Sequence, residues 1–254
     1  MGVRIFNEGI EKPYCNTCHN TGYLKDETNP DVKDKCQICL KMEKLLQANI
    51  AFDYWNITAE TFDGSAEDIY AIGRLCNPEV INVLRENSTG LYIFGEQNGI
   101  GKTSLAILFL KYILLETQFS CLFAPFKDVV LLINHFVNIY SPVIENKINY
   151  IKNVDFLVLD DLGKEVDYNK GALGSVALDS IMRYRVSYKK PTIITSNAAL
   201  EVTRGIYGDH NFSILNYLKS IEMHGTADYR KTRHAKAIQA LEEVAYASPH
   251  IKEI

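Results

Sequence analysis

Hydrophobic and polar positions change their period more than once along this chain. Within "LKMEKLLQANI" (40–50), Leu40, Met42, Leu45 and Leu46 fall on a rough helical face, which predicts a short amphipathic helix. The next stretch, "AFDYWNITAETFDG", has aromatic residues but no period, and reads as an ordered connector packed on the following domain. Helical patterning resumes from Ser65 to Arg85, with an interruption at Asn77-Pro78. From Gly90 onward, apolar runs alternate with helix-like stretches. The strand candidates are "LYIF" (91–94), "SCLFA" (120–124), "VDFLVLD" (154–160), "PTIITS" (191–196) and "KSIEMH" (219–224), with helices at about 102–118, 126–139 and 170–188. Near-continuous apolar strands separated by helices belong to a parallel sheet covered on both faces, so the fold class is α/β.

Residues 12–40 break this pattern. They are polar, turn-rich and too poor in large apolar side chains to fold alone, so a metal is expected to supply the missing stability. Cys15 and Cys18 form one Cys-x-x-Cys pair, Cys36 and Cys39 a second, with 17 residues between the pairs. This is the spacing of a structural zinc site, and four thiolates close a tetrahedral shell with no open position. His19 is a further donor beside Cys18, but adjacent residues rarely ligate one metal. Cys76 and Cys121 stand alone in apolar surroundings and are expected in the core. The expected organisation is a zinc-binding module over 1–50, a connector over 51–65 and the α/β domain over 66–254.

The stretch "LYIFGEQNGIGKTSLAI" has a strand, a glycine-rich loop and a helix opening at Lys102. Glycines let several amide N–H groups converge on a phosphate, and the helix N-terminus adds its partial positive charge. The usual motif is Gly, four residues, then Gly-Lys-Ser/Thr. Here Glu96 stands at the first glycine position, and Gly95 is one residue too far upstream. The second half, "GIGKT", keeps the part that touches phosphates. Gly99, Ile100, Gly101, Lys102, Thr103 and Ser104 are therefore the candidate nucleotide-binding residues. Lys102 is expected to neutralise the β- and γ-phosphates and Thr103 to ligate magnesium. The surplus residue is expected to bulge away from the phosphates within Gly95–Asn98.

Further along, "FLVLDD" drives a buried strand into two carboxylates. Asp160 is suited to hold magnesium opposite Thr103, and Asp161 to orient and deprotonate the attacking water. Adjacent acids at a sheet edge repel and gain nothing in packing. The strand "PTIITSN" ends in polar residues, and in an open parallel sheet ligands sit beyond the carboxyl ends of strands. Asn197 is thus a candidate contact to the γ-phosphate or the water.

The three motifs "GIGKTSLA", "FLVLDDLGKE" and "PTIITSN" together resemble the DnaC/DnaI-type helicase loaders of the AAA+ ATPases, a family that includes the IstB-type transposition helpers. The resemblance covers roughly Trp55 to Arg230. It implies a P-loop AAA+ core with a five-stranded parallel sheet ordered 5-1-4-3-2, and ATP hydrolysis with Mg2+. Lys102 and Thr103 become the Walker A residues, Asp160 and Asp161 the Walker B pair, and Asn197 sensor 1. It further implies a DnaB-type ring-shaped replicative helicase and single-stranded DNA as partners, self-association on ATP or helicase, and a zinc-bearing N-terminal region that docks on the helicase. Where the family tends to carry an arginine serving a neighbouring subunit's nucleotide, "HNFSILNYLKS" has Ile214, leaving Arg185, Arg204 and Arg230 as substitutes. Other readings are an IstB-like ATPase assisting a transposase, and a nucleotide-gated adaptor with little hydrolysis.

Charge narrows the partners. With 27 Lys+Arg against 31 Asp+Glu the net charge is -4, so bulk attraction to nucleic acid is not indicated and any DNA contact must be local. "MRYRVSYKK" (182–190) reads as cations at a helix end, and "DYRKTRHAK" (228–236), with Arg230, Lys231, Arg233 and Lys236, as the better candidate for single-stranded DNA. Near the cysteines, Lys12, Lys25, Lys33 and Lys35 lie beside Tyr14 and Tyr23, but interleaved acids favour protein docking there. No signal peptide or apolar span is legible, so a soluble cytoplasmic protein is expected.

Overall fold

A computed structural model of the chain describes residues 10–25, 33–62, 64–164, 171–225, 228–229, 231, 235 and 238–239. A two-stranded antiparallel ribbon, β1 (Tyr23–Lys25) and β2 (Lys33–Lys35), leads into helix α1 (Gln37–Gln47). Helices α2 (Ala66–Leu75) and α3 (Pro78–Glu86) follow. A five-stranded sheet then forms from β3 (Gly90–Phe94), β4 (Cys121–Pro125), β5 (Phe156–Leu162), β6 (Thr192–Ser196) and β7 (Leu218–Glu222). Every pairing is parallel, in the order β4-β5-β6-β3-β7. Counted from the far edge by sequence position within the sheet, this is 5-1-4-3-2. The crossovers are α4 (Lys102–Glu116), α5 (Phe126–Asn138), α6 (Pro142–Asn153), α7 (Gly171–Ser187) and α8 (Leu200–Leu215).

Both sheet faces are apolar because alternate residues of each strand point to opposite layers. Leu91, Ile93, Phe156, Val158 and Ile193 pack with Ile72, Ile81 and the buried residues of α4. Tyr92, Leu157, Leu159 and Ile194 pack with α5 to α8. Truncating one of these, as in Leu159→Ala, would cost about 2–5 kcal/mol through lost burial and the cavity left behind.

The helix boundaries follow from local chemistry. Ser65 and Asp68 form a reciprocal capping box at α2, with Asp68 N donating to Ser65 Oγ (3.1 Å) and Ser65 N to Asp68 Oδ2 (3.2 Å). Pro78 at the first turn and the Asn77 cap start α3, which accounts for the interruption in the helical pattern. Two crossover helices, α6 and α8, were not evident in the sequence. In α8 the helix breaks at Gly208, whose φ of 79° and ψ of 167° split the element and scramble its period. No described helix is long and apolar enough to cross a membrane.

Residues 37–50 do not sit apart from the sheet-and-helix core. Leu45, Ala48 and Ile50 are buried in the same cluster as α4, and Phe123 N donates to Ala48 O across the β4 edge. Trp55 packs on that cluster too, its indole Nε1 donating to Ile50 O at 2.8 Å. Cys121 is in the core, as its context implied, whereas Cys76 is only half-buried, because it forms the C-terminal cap of α2 rather than a core-facing turn.

Candidate nucleotide site and cysteine cluster

The carboxyl ends of β3, β5 and β6 open into a cavity of about 450 Å3. One wall is the loop between β3 and α4, where Gly99 (φ +80°) and Gly101 (φ +99°) adopt left-handed backbone that any side chain would strain. Phe62 closes on this loop so tightly that a Cβ at Gly101 would lie 3.0 Å from its ring. Lys102 opens α4, is 6% exposed, and donates from Nζ to the carbonyls of Gly95 (2.8 Å) and Gln97 (2.7 Å). The surplus segment supplies both of these carbonyls, as a buried ammonium needs acceptors. Ile100 is buried against Gly95 and Gly225, so its side chain faces the core while Gly99, Gly101, Thr103 and Ser104 line the cavity.

Opposite the loop, β5 carries an irregularity between Leu159 and Leu162, and Asp161 takes a φ of 61°. The strand runs on to Leu162 instead of stopping at Asp160, and the bulge aims the two acids differently. Asp160 turns inward, and its Oδ1 accepts from Thr103 Oγ1 (2.9 Å) and Thr195 Oγ1 (2.6 Å). Burial, and then the neighbouring Asp161 charge, push the Asp160 carboxyl up to about 6. A divalent cation at this carboxylate would offset the desolvation, so the donor set of Thr103 and Asp160 fits magnesium. Asp161 is more open and pairs with Lys164 at 2.7 Å, while its backbone N–H donates to Thr195 Oγ1. Asn197 reaches across to the loop and donates to Asn98 Oδ1 at 3.0 Å.

The other wall was not foreseen. Asp53, Tyr54, Asn56, Ile57, Thr61 and Phe62, all within the stretch expected as a connector, line the cavity. Lys111, far along α4, holds this wall from behind, donating to the carbonyls of Tyr54 (3.0 Å), Trp55 (2.8 Å) and Ile57 (2.6 Å). Burial, with the Lys41 charge, brings its ammonium down to about 8. The available signal was a charged residue inside the otherwise apolar run "LAILFLKYILL".

Ile214 is buried in the core at the position where an arginine was sought. Arg185 is also not free to serve a neighbour, and is not a solvated cation at a helix end. It is completely buried and donates to backbone carbonyls at the starts of β5 and β6. Arg204 is exposed and pairs with Asp209. Arg230, Arg233 and Lys236 lie outside the described residues.

The four cysteines at the N-terminal end converge in one buried cluster, their Sγ atoms all within 4.8 Å of one another. Cys15 and Cys36 are 3.8 Å apart and Cys18 and Cys39 3.4 Å. Tetrahedral zinc with Zn–S near 2.3 Å sets S···S separations of about 3.8 Å, so the arrangement fits the ion. The hydrogen bond to Cys18, followed by burial, pushes Cys39 up to about 12; four thiolates cannot occupy this space without a cation. His19 is turned elsewhere, its Nδ1 2.9 Å from Tyr14 Oη.

Compared with family models and with curated proteins, the sequence matches none. Solved structures do match. The crystal structure of the DnaC helicase loader aligns with a TM-score of 0.56 over 68% of this chain and 100% of its own, at 23% identity. The crystal structure of DnaI aligns at 0.54 over 70% and 93%, at 22% identity. This chain has the AAA+ fold. A third AAA+ structure, the replication initiator DnaA bound to AMPPCP and single-stranded DNA, aligns at 0.51 over 68% of this chain and 50% of its own, at 19% identity. The five-stranded parallel sheet flanked by helices is what these AAA+ proteins share with this chain, and the cysteine cluster fits a zinc-binding region.

Proposed function

We propose that this protein is an ATP-dependent loader that places a DnaB-type ring-shaped replicative helicase onto single-stranded DNA. The observation that carries the reading is the joint presence of an AAA+ fold that aligns over the full length of the solved DnaC helicase loader chain and a buried four-cysteine cluster at the N-terminal end of this one. In this reading residues 1–50 dock on the helicase with zinc as a structural ion, residues 51–65 connect and also supply one wall of the nucleotide cavity, and residues 66–254 bind and hydrolyse ATP. Lys102 and the amides of Gly99 to Ser104 hold the phosphates; Thr103 and Asp160 hold magnesium. Asp161 orients and deprotonates the attacking water, and Asn197 reports the γ-phosphate through Asn98. Self-association on ATP or helicase, and a DNA contact from the basic segment after β7, belong to the same proposal.

A second reading, a nucleotide-gated adaptor with little hydrolysis, is favoured by one observation. Ile214 and Arg185 are both buried, so neither position offers a cation to a neighbouring subunit. Such a finger contributes roughly 10³–10⁵ in rate where it operates. A pull-down with the cognate replicative helicase, with and without ATP, tests the main proposal against a Cys36→Ser/Cys39→Ser variant. Retention by the intact chain and loss in the variant is expected; no retention by the intact chain refutes it. Measured turnover of the free protein then separates loader from adaptor.

A further inference from the structure

We infer that Lys111 is the positioning residue for the base-facing wall of the nucleotide cavity, fixing Tyr54 to Ile57 so that the site distinguishes a nucleoside triphosphate from a bare polyphosphate. The inference rests on the nucleotide reading of the cavity given above. Phosphates at Lys102 and the loop leave the rest of a nucleotide to extend toward the opposite wall, which is built from Asp53, Tyr54, Asn56, Ile57, Thr61 and Phe62. That wall has little regular structure of its own beyond a single turn of 3-10 helix at Phe52–Tyr54. A segment of this kind keeps its shape only if something outside it satisfies its backbone.

Lys111 does so three times over. The residue is 6% exposed, and its ammonium donates to three carbonyls of the wall, at 2.6 to 3.0 Å. An ammonium has three protons and no acceptor capacity, so the three carbonyls account for all of its donors. The lysine sits on the same helix that begins at Lys102, so the phosphate end and the base end of the cavity hang from one rigid rod. Residues 102 and 111 are separated by about 14 Å along such a helix, at about 1.5 Å per residue. Loss of the ammonium leaves the phosphate end intact while the wall loses its anchor.

The test uses the full chain, with wild type, Lys111→Met, Lys111→Gln and Lys102→Ala titrated calorimetrically with ATP and with inorganic tripolyphosphate in magnesium. Wild type is expected to bind ATP more tightly than tripolyphosphate. In Lys111→Met, ATP affinity should fall about tenfold and tripolyphosphate affinity less than about twofold, because a small displacement of a positioning group can cost this much or more. Hydrogen exchange should quicken at amides 54–58 and remain slow in β3 and β6. Lys111→Gln keeps amide donors without the buried charge; it should fall between wild type and Lys111→Met, and it carries the test if the methionine variant does not fold. An unchanged ATP-to-tripolyphosphate ratio in a folded Lys111 variant, or equal loss of both ligands, overturns the inference. If wild type binds neither ligand, and Lys102→Ala is indistinguishable from it, the nucleotide reading fails and Lys111 loses its role with it.

Discussion

Arg185→Met would separate a structural arginine from one serving a neighbouring subunit. The guanidinium is fully buried and spans three pieces of chain. It donates to Ile151 O (3.2 Å) and Lys152 O (3.1 Å) in the last turn of α6, and to Val154 O (2.8 Å) and Asp155 O (3.3 Å) on entry to β5. Before and within β6 it donates to Pro191 O (2.6 Å) and Thr192 Oγ1 (2.9 Å). The last carbonyls of a helix have no intrahelical partner, and this side chain supplies one. Methionine fills much of the same volume but leaves those acceptors dry. At about 1–3 kcal/mol for each unsatisfied buried acceptor the simple sum overshoots, because water and backbone relax into the gap. A loss of about 3–5 kcal/mol, equivalent to roughly two acceptors left dry, is the better expectation. With about 2–4 °C per kcal/mol for a domain of this size, Tm should fall by about 6–20 °C. Urea unfolding followed by far-UV circular dichroism gives the free energy directly. A loss below about 1 kcal/mol, or normal stability with defective ATP turnover, would refute the structural assignment.

Three further outcomes are expected. Asp160 has its folded-state pKa raised from 3.8 to about 6, so the fold binds its proton more readily than the unfolded chain does. Its ionised form therefore costs stability at neutral pH, by about 2–3 kcal/mol, and that cost disappears as pH falls through about 6 toward 4. Without magnesium, Asp160→Asn should be more stable than wild type at pH 7.5, with the gap closing near pH 4; a pH-independent gap contradicts this. Asp161→Asn should leave ATP affinity within about twofold and abolish hydrolysis, as measured by phosphate release, if the carboxylate proposed to activate water is the one lost. For Cys36→Ser/Cys39→Ser, zinc content by mass spectrometry should fall from one ion per chain to none while ATP binding persists, since none of the four cysteines lines the nucleotide cavity; retained zinc would rule out the four-cysteine site.

How much could be read in advance depended on how strongly each element announces itself. Phe156 to Leu159 are buried on both sides of the sheet, so an unbroken apolar run was enough to mark β5. The loop around Lys102 and the paired cysteines were legible because metal and phosphate chemistry constrain both residue type and spacing. Helix α8 was not, because Gly208 breaks its period midway. The bulge that separates Asp160 from Asp161 in direction also left no trace, since it is a property of backbone pairing with β6. The wall from Asp53 to Phe62 was hidden for a different reason: its shape is imposed from α4 by Lys111, a contact more than fifty residues away in the chain.

Helix α1 joins the cysteine cluster to the sheet without a hinge among the described residues. Cys36 and Cys39 lie at its start, and after its end Ala48 O accepts from Phe123 N while Asn49 Nδ2 donates to Phe123 O. The eleven-residue helix is therefore a strut of about 16 Å, bolted to an edge strand at one end and to four sulfurs at the other. Strand β4 is paired along its length with β5, and Pro125 stands in register with Asp160. A sideways load on the cysteine cluster has no slack to take up first; it arrives as torque on the strand beside the buried aspartate.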